Sequence, residues 1–421
     1  MAEKKITLEK CGIVDPLNIE SSRKEGGYEG LKTALSRSPE EVRAVVKDAG
    51  LRGRGGAGFP VFSKWDVCTG SDEQERYLVC NGVEGDPRSQ GGRTLLTGDP
   101  HRVLEGMVIA AYAIGAGSGY LYCPSGSEVQ ESLGVALNQA REQGMLGKAI
   151  YGSSFDFDIE LFGGAGDFVV GEETVLISSM ECGRLVARPK PPYPAQAGFR
   201  GKPTVVHHPE TLANVPAILK RGAEWFRSLG VEHDPGTRVL TLTGGVEPAG
   251  VIEVECGTTL REILFQEGRG IVQEKQFKAI QLGGPTGGFI PESLLDTPLD
   301  SDSLKDAGQI MGSGSILVIT DDVLLVETVR DAIAFSADAS CGLCVPCRFG
   351  LKVIQNLLDK LVGGEAVDED LTLLEEMSQH SRDTSLCGLG KTAPLPVLTS
   401  LNYFRSDYSA YIKARPAVVG A

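Results

Sequence analysis

Three cysteines packed as Cys341-x2-Cys344-x2-Cys347 constrain this chain more than any other feature. One tight turn at that spacing can aim three thiolates at one small volume, and Cys387, beyond the interval 348–386, is available as a fourth ligand. Three corners from a turn and one from a distant residue suit the cube of a [4Fe–4S] cluster, which moves single electrons. Zinc more often takes two Cys-x2–4-Cys pairs separated by a loop, so it is the weaker alternative, followed by thiols that bind nothing.

The other six cysteines, Cys11, Cys68, Cys80, Cys123, Cys182 and Cys256, are scattered singly and read as small apolar fillers. No apolar run follows the first charged residues, and no stretch of about eighteen apolar residues occurs anywhere. The expected setting is therefore cytoplasmic, without a membrane span, and disulfides are not expected there. A formal charge of -15 leaves no excess of Lys and Arg to line a long phosphate track, which argues against nucleic acid.

With 421 residues, 41% of them hydrophobic, the chain can bury two to four cores of ordinary domain size, which about 100–200 residues each would fill. Residues 1–35 lack clear periodicity and read as an extension wrapped on the surface. Ser38-Pro39-Glu40-Glu41 then has the form of a capping box with Pro in the first turn, and Gly50 stops the helix it starts. To about residue 236, short strands at 77–80, 119–122 and 157–161 alternate with helical stretches near 101–115, 127–143 and 172–182, the pattern of an α/β layer fold. Strands at 239–243 and 251–254 and a short helix at 260–264 suggest a small α+β unit over 237–320. Residues 321–421 are helix-rich, with amphipathic stretches at 326–336, 353–361 and 369–377, and they contain the four clustered cysteines.

Two glycine loops punctuate the first region. Gly53-Arg54-Gly55-Gly56-Ala57-Gly58 satisfies G-x-G-x-x-G but follows a helix, where the dinucleotide fingerprint requires a strand. The loop is either structural or a bare-backbone cradle for a phosphate or flat ring, with Arg52, Arg54 and Lys64 to balance anionic charge. The second, Gly163-Gly164-Ala165-Gly166, runs through Asp167 and Phe168 to Gly171-Glu172-Glu173, carboxylates that can complement a helix dipole or meet a ligand. Lys190 and Tyr193 sit in a proline-rich segment that is either a rigid connector or a basic and aromatic nucleotide clamp.

In order along the chain, Leu51–Pro60, Lys64-Trp65, Gly164–Gly166, Gly171–Thr174, Lys190–Pro194, Gly201–Thr204, Glu210–Leu212, Ser340–Arg348 and Cys387 resemble the family of NADH-oxidising flavoproteins, the 51-kDa subunits of respiratory complex I. The segments Glu84–Pro87, Gly98–His101, Gly283–Pro291 and Ile310–Gly314 look closer to relatives in soluble NAD-linked and electron-bifurcating hydrogenases and formate dehydrogenases. The resemblance implies a Rossmann-like FMN/NAD(H)-binding domain at 36–236, a β-grasp-like domain at 237–320 and a helical [4Fe–4S] domain at 321–421. It also implies hydride transfer from NAD(P)H to FMN and single-electron release to the cluster. The partners it implies are a thioredoxin-fold [2Fe–2S] subunit and a larger iron–sulfur or catalytic subunit.

By the same resemblance, Gly53–Gly58 pack on flavin and dinucleotide, Phe59 stacks near the adenine, and Lys64 supports the flavin or its phosphate. Asn81, Glu84 and Asp86 match the family's acidic loop; Phe168, Gly171, Glu172 and Glu173 match its nicotinamide-side wall; Lys190 and Tyr193 match nucleotide contacts. The pocket also departs from the family pattern. Val83 replaces an aspartate, Asp167-Phe168 replaces Ala-Tyr, and His207-His208 replaces a pair of asparagines. Asp66-Val67 stands where an aromatic is usual, and Pro124–Ser127 where Arg-Gly-Glu-Tyr is usual. An imidazole can stand in for an amide, so His207 and His208 remain candidate flavin contacts. The alternative is an electron-relay subunit that keeps the cluster but has lost flavin or nucleotide.

Overall fold

The computed structural model describes residues 5–272 and 274–412. Its first layer is a fully parallel sheet of β1 (Tyr77–Asn81), β2 (Ser118–Pro124), β3 (Asp158–Gly164) and β4 (Thr204–His207), in the order β3-β2-β1-β4. Alternation along β1 divides two cores. Leu78 and Cys80 face one side, with Leu121, Ile159 and Val205, against helices Pro39–Ala49, Val61–Thr69, Pro100–Ile114 and Pro209–Arg221. Tyr77 and Val79 face the other, with Tyr120, Tyr122 and Val206, against helix Glu173–Cys182 and the C-terminal helices.

All five β1 residues are buried, as expected of a central parallel strand covered on both faces. Helix Pro100–Ile114 is buried nearly all round, and its run from Val103 to Ile114 carries one charged residue, Glu105. Helix Pro39–Ala49 begins with the expected capping box: Ser38 Oγ accepts Glu41 N–H, and the Glu41 carboxylate accepts Ser38 N–H at 2.8 Å.

The amino-terminal segment is a correction to the surface extension expected for it. Short helices Ile19–Lys24 and Glu29–Leu35 form there, and the second buries Leu31 and Ala34, with Tyr28 at its N-terminus, fully in the first core. Two buried carboxylates from far along the chain fix it. Glu253 accepts the N–H groups of Ile6, Thr7 and Leu8, and Glu105 accepts those of Tyr28 and Leu31. Helices of six and seven residues are too short to show a repeat, so periodicity had nothing to register.

A small hairpin, β5 (Gly230–Val231) and β6 (Asp234–Pro235), leads into a mixed sheet of β7 (Thr237–Gly244), β8 (Gly250–Glu255), β9 (Phe277–Leu282), β10 (Phe289–Ile290) and β11 (Ser315–Thr320). Its order is β10-β9-β11-β7-β8, with β11 parallel to β7 and the other pairs antiparallel, a β-grasp-like arrangement. The helix expected at 260–264 is α-helical only for Leu260–Glu262 and widens into a π turn over Ile263–Glu267. Helices Leu325–Asp338, Gly350–Val362, Asp368–Thr384 and Leu395–Tyr403 form the C-terminal bundle, and Leu351, Ile354, Leu358, Leu374 and Val397 fill its centre.

Candidate flavin and iron–sulfur site

In the parallel sheet, the chain runs outward from β1 to β2 and β3, and returns on the opposite side of β1 as β4. Strand order therefore reverses between β1 and β4, and open α/β sheets bind ligands in the crevice outside the carboxyl ends at such a point. Asn81 ends β1, His207 ends β4, and His208 follows. Gly53–Phe59 lies beside them: a Cβ added at Gly55 would stand 3.4 Å from His208 Cβ. Gly55, Ala57 and Phe59 are exposed, whereas Gly56 and Gly58 are packed too closely against Gly312 and Ser301 to carry side chains.

Both histidines are neutral at physiological pH. Burial, with help from Lys64, pushes His207 down to about 3, and burial pushes His208 down to about 4. His207 Nε2 accepts the Trp65 indole N–H at 2.9 Å, which assigns its proton to Nδ1. His208 Nδ1 caps helix Pro209–Arg221 by accepting Glu210 N–H, which leaves Nε2–H as the donor. That nitrogen stands 3.2 Å from where a Cβ on Gly92 would be, so the space beside it depends on a glycine.

Four charges form the next wall. Lys64 Nζ contacts the Glu173 carboxylate at 2.8 Å and Val206 O at 3.1 Å; Lys190 Nζ reaches Glu172 at 2.7 Å and Glu173 at 3.0 Å. Burial opposes ionisation of Glu173, but the two ammonium groups overcome it and hold its carboxyl below the usual range. Glu172 also caps helix Glu173–Cys182 through Thr174 and Val175 N–H. Asn81 Nδ2 donates to Gly171 O, tying the end of β1 to this wall.

The structure places other candidates elsewhere. The Arg54 guanidinium turns inward to Asp234 and Pro235 O, so its charge does not face the open side of the loop; its N–H donates to Thr211 Oγ1. This corrects the expectation that Arg54 balances an anion. Asp86 is also turned away, its buried carboxylate accepting from Ser313 Oγ, Ser315 Oγ and Arg88 N–H at the seam with the mixed sheet. Glu84 accepts Gly92 and Arg93 N–H and the Ser89 hydroxyl, and burial raises its carboxyl despite those bonds. Phe59 and Tyr193 are about half exposed, and Phe168 meets Phe335 of the bundle edge-on with ring centres 5.4 Å apart. Asp234, Arg238 and Thr211 were not singled out by sequence reasoning. Thr211 lay inside a recognised segment, while the other two have no local motif.

Cys341, Cys344, Cys347 and Cys387 are unpaired thiols at the edge of the second core. Burial pushes the Cys347 thiol up to about 11; burial also raises Cys387, against N–H bonds from Leu389 and Gly390. A Cβ on Gly390 would strike Ser385 and lie 3.0 Å from Cys347 Cβ, so the absence of a side chain there lets the Cys387 loop close on the Cys341–Cys347 turn. Among the described residues, no three His, Cys, Asp or Glu side chains close on a single metal ion. Four thiols converging from two loops fit a cluster. The exposed glycine loop, the neutral imidazole donor and the charge-balanced Lys64-Lys190-Glu172-Glu173 wall fit a flavin mononucleotide.

Residues 46–217 match the Nuo51 FMN-binding domain family, and residues 327–411 match the NADH-ubiquinone oxidoreductase-F iron-sulfur binding region. The chain is 44% identical to the NADP-reducing hydrogenase subunit HndC of Solidesulfovibrio fructosivorans, over 97% of this chain and 83% of that protein. It is 38% identical to an NADH-quinone oxidoreductase subunit of Escherichia coli (strain K12), over 94% and 90% of the two chains. It superposes on the crystal structure of an NAD+-reducing [NiFe]-hydrogenase in the H2-reduced state with a TM-score of 0.81 and 34% identity, covering 90% of this chain but 63% of that one. The FMN-binding match favours the flavin-carrying reading over a relay without flavin. No helix among the described residues is long and apolar enough to cross a membrane. The chain belongs to the family of FMN- and [4Fe–4S]-containing electron-transfer oxidoreductases that includes these NADH-quinone oxidoreductase and NAD(P)-linked hydrogenase subunits.

Proposed function

We propose that this chain is the cytoplasmic NAD(P)H-handling subunit of a larger complex, with the flavin at the β1–β4 switch point and the nicotinamide nucleotide against the Glu172-Glu173 wall. Bound FMN supplies the conversion of a two-electron hydride into single electrons. The protein's own groups orient the rings. Gly55 and Ala57 present exposed backbone, His208 Nε2–H offers a neutral donor, and Lys64 and Lys190 balance Glu172 and Glu173 so that the wall carries no net negative charge toward an anionic cofactor.

The observation that carries this reading is the contact between the two halves of the electron path. Phe168, on the nicotinamide-side wall, packs edge-on against Phe335 of the cluster bundle with ring centres 5.4 Å apart. Beyond the cluster, Leu343, Val345 and Phe349 are 49%, 60% and 57% exposed between and beside the ligand cysteines. That apolar rim supports an onward partner, in the reading a larger iron–sulfur or catalytic subunit, with a thioredoxin-fold [2Fe–2S] subunit also in the assembly.

The test is the absorption spectrum of anaerobically purified protein, with flavin and iron quantified after denaturation, before and after NADH or NADPH. Flavin at roughly one per chain that bleaches with either nucleotide supports the proposal. A brown, iron-containing protein without flavin overturns the nucleotide-oxidising role and leaves a relay.

A further inference from the structure

Ser340 follows Ala339, the C-cap of helix Leu325–Asp338, and immediately precedes the first cluster cysteine, so it stands at the corner from which the Cys341–Cys347 turn departs. Its hydroxyl has two neighbours. Ser340 Oγ accepts Gly342 N–H at 3.2 Å, and it lies 3.1 Å from Cys347 Sγ. A thiol and a hydroxyl can exchange donor and acceptor roles, but a cysteine bound to iron has lost its proton and can only accept. The hydroxyl oxygen is already taken up by the Gly342 amide, so its own hydrogen is free to point at the sulfur.

We propose that Ser340 is a redox-tuning residue whose O–H donates to the Cys347 ligand sulfur and makes the cluster easier to reduce. The inference rests on the four-cysteine cluster and does not depend on flavin or nucleotide binding. Reduction adds negative charge that spreads onto the sulfurs, so a donor held against one of them is worth more in the reduced than in the oxidised state. Hydrogen bonds to cluster sulfurs are one of the levers that set these potentials.

The placement favours an effect at this ligand. Cys347 is the most deeply buried of the four cysteines at 4% exposure, so water competes least for its sulfur. Among the described residues, Ser340 is the side chain whose hydroxyl lies within hydrogen-bonding range of a cluster-cysteine sulfur. Ser340 is a side chain, and a single substitution changes it.

The experiment uses the full chain as purified with its cluster, as parent, Ser340→Ala and Ser340→Thr. Iron content is measured first, and the midpoint potential follows from a redox titration read by electron paramagnetic resonance. The expected result is a more negative potential in Ser340→Ala and recovery of the parent potential in Ser340→Thr, which keeps the hydroxyl. An unchanged potential in an iron-replete Ser340→Ala protein overturns the proposal and makes Ser340 only a turn-former through Gly342. Should Ser340→Ala fail to hold iron, the parent decides. Rapid mixing with D2O followed by freezing should place one hydroxyl deuteron, exchanging within seconds, in strong coupling with the reduced cluster, and its absence overturns the assignment. Absence of iron from the parent would instead break the cluster reading itself.

Discussion

Arg54 Nη1 and Asp234 Oδ1 lie 2.7 Å apart with both side chains wholly buried. The pair joins the first glycine loop to the hairpin that leads into the mixed sheet, and Asp234 uses its second oxygen on Arg238 and Ser301. Arg238 and Arg54 draw the Asp234 carboxyl far below its usual range against the cost of burial. Removing one member of a buried pair leaves a charge without compensation, at a cost of about 3–5 kcal/mol. Asp234→Ala should therefore destabilise the chain by about that much in a denaturant titration. Flavin should be lost at denaturant concentrations where the parent still holds it, because the loop and the fold share this anchor.

Lys64 bridges Glu173 and the carbonyl of Val206, so it fixes the side wall to the end of β4. Lys64→Met keeps the stem and removes the charge. A charge-assisted hydrogen bond contributes roughly 1.5–3 kcal/mol, which corresponds to roughly ten- to hundredfold in an affinity. Flavin or nucleotide affinity, measured by fluorescence on dilution, should weaken within that range.

His208 has two separable jobs. Its Nδ1 caps helix Pro209–Arg221, and its Nε2–H faces the glycine-bounded space. Asparagine is also a strong cap, whereas alanine at such a position costs about 1 kcal/mol. His208→Asn should keep thermal stability and flavin content close to the parent, and His208→Ala should lower both, as read by melting temperature and flavin per chain.

The buried Glu210 carboxyl is pushed up to about 7 by desolvation, against the Val239 N–H bond and the Arg54 and Arg238 charges. Its folded-state value lies above the ordinary 4.5, so the folded chain binds this proton more tightly than the unfolded chain. The resulting stabilisation is complete below the ordinary value and is lost as pH rises through about 7. Glu210→Gln, which can still accept from Val239, should have little effect at pH about 4 and should raise the melting temperature relative to the parent at pH about 8.

The cysteine turn, the short apolar strand at 77–80 and the Ser38 capping box were legible because each is written within a few adjacent residues. Cys387 could be joined to the turn because cysteine is rare and chemically distinctive. The inward turn of Arg54 was not legible, since its partner stands at residue 234 and nothing local marks Asp234 as a partner. Asp86, which only the resemblance marked out, takes the hydroxyls of Ser313 and Ser315 from the other sheet, partners more than two hundred residues away that nothing local announces. The switch-point geometry, too, depended on strand order, which single strands do not reveal.

Glu253 holds Ile6, Thr7 and Leu8 by their backbone amides, across a sequence separation of more than two hundred residues. During synthesis that clasp cannot form until β8 has emerged, so the earliest-made residues of the first core wait for a strand of the next unit before they are tied down. The crevice at the β1–β4 switch point is then completed late, since Gly56 packs on Gly312 and Gly58 on Ser301 across the seam. Chains cut short before residue 253 should accumulate as open intermediates, a natural target for chaperones or proteases before any cofactor is installed.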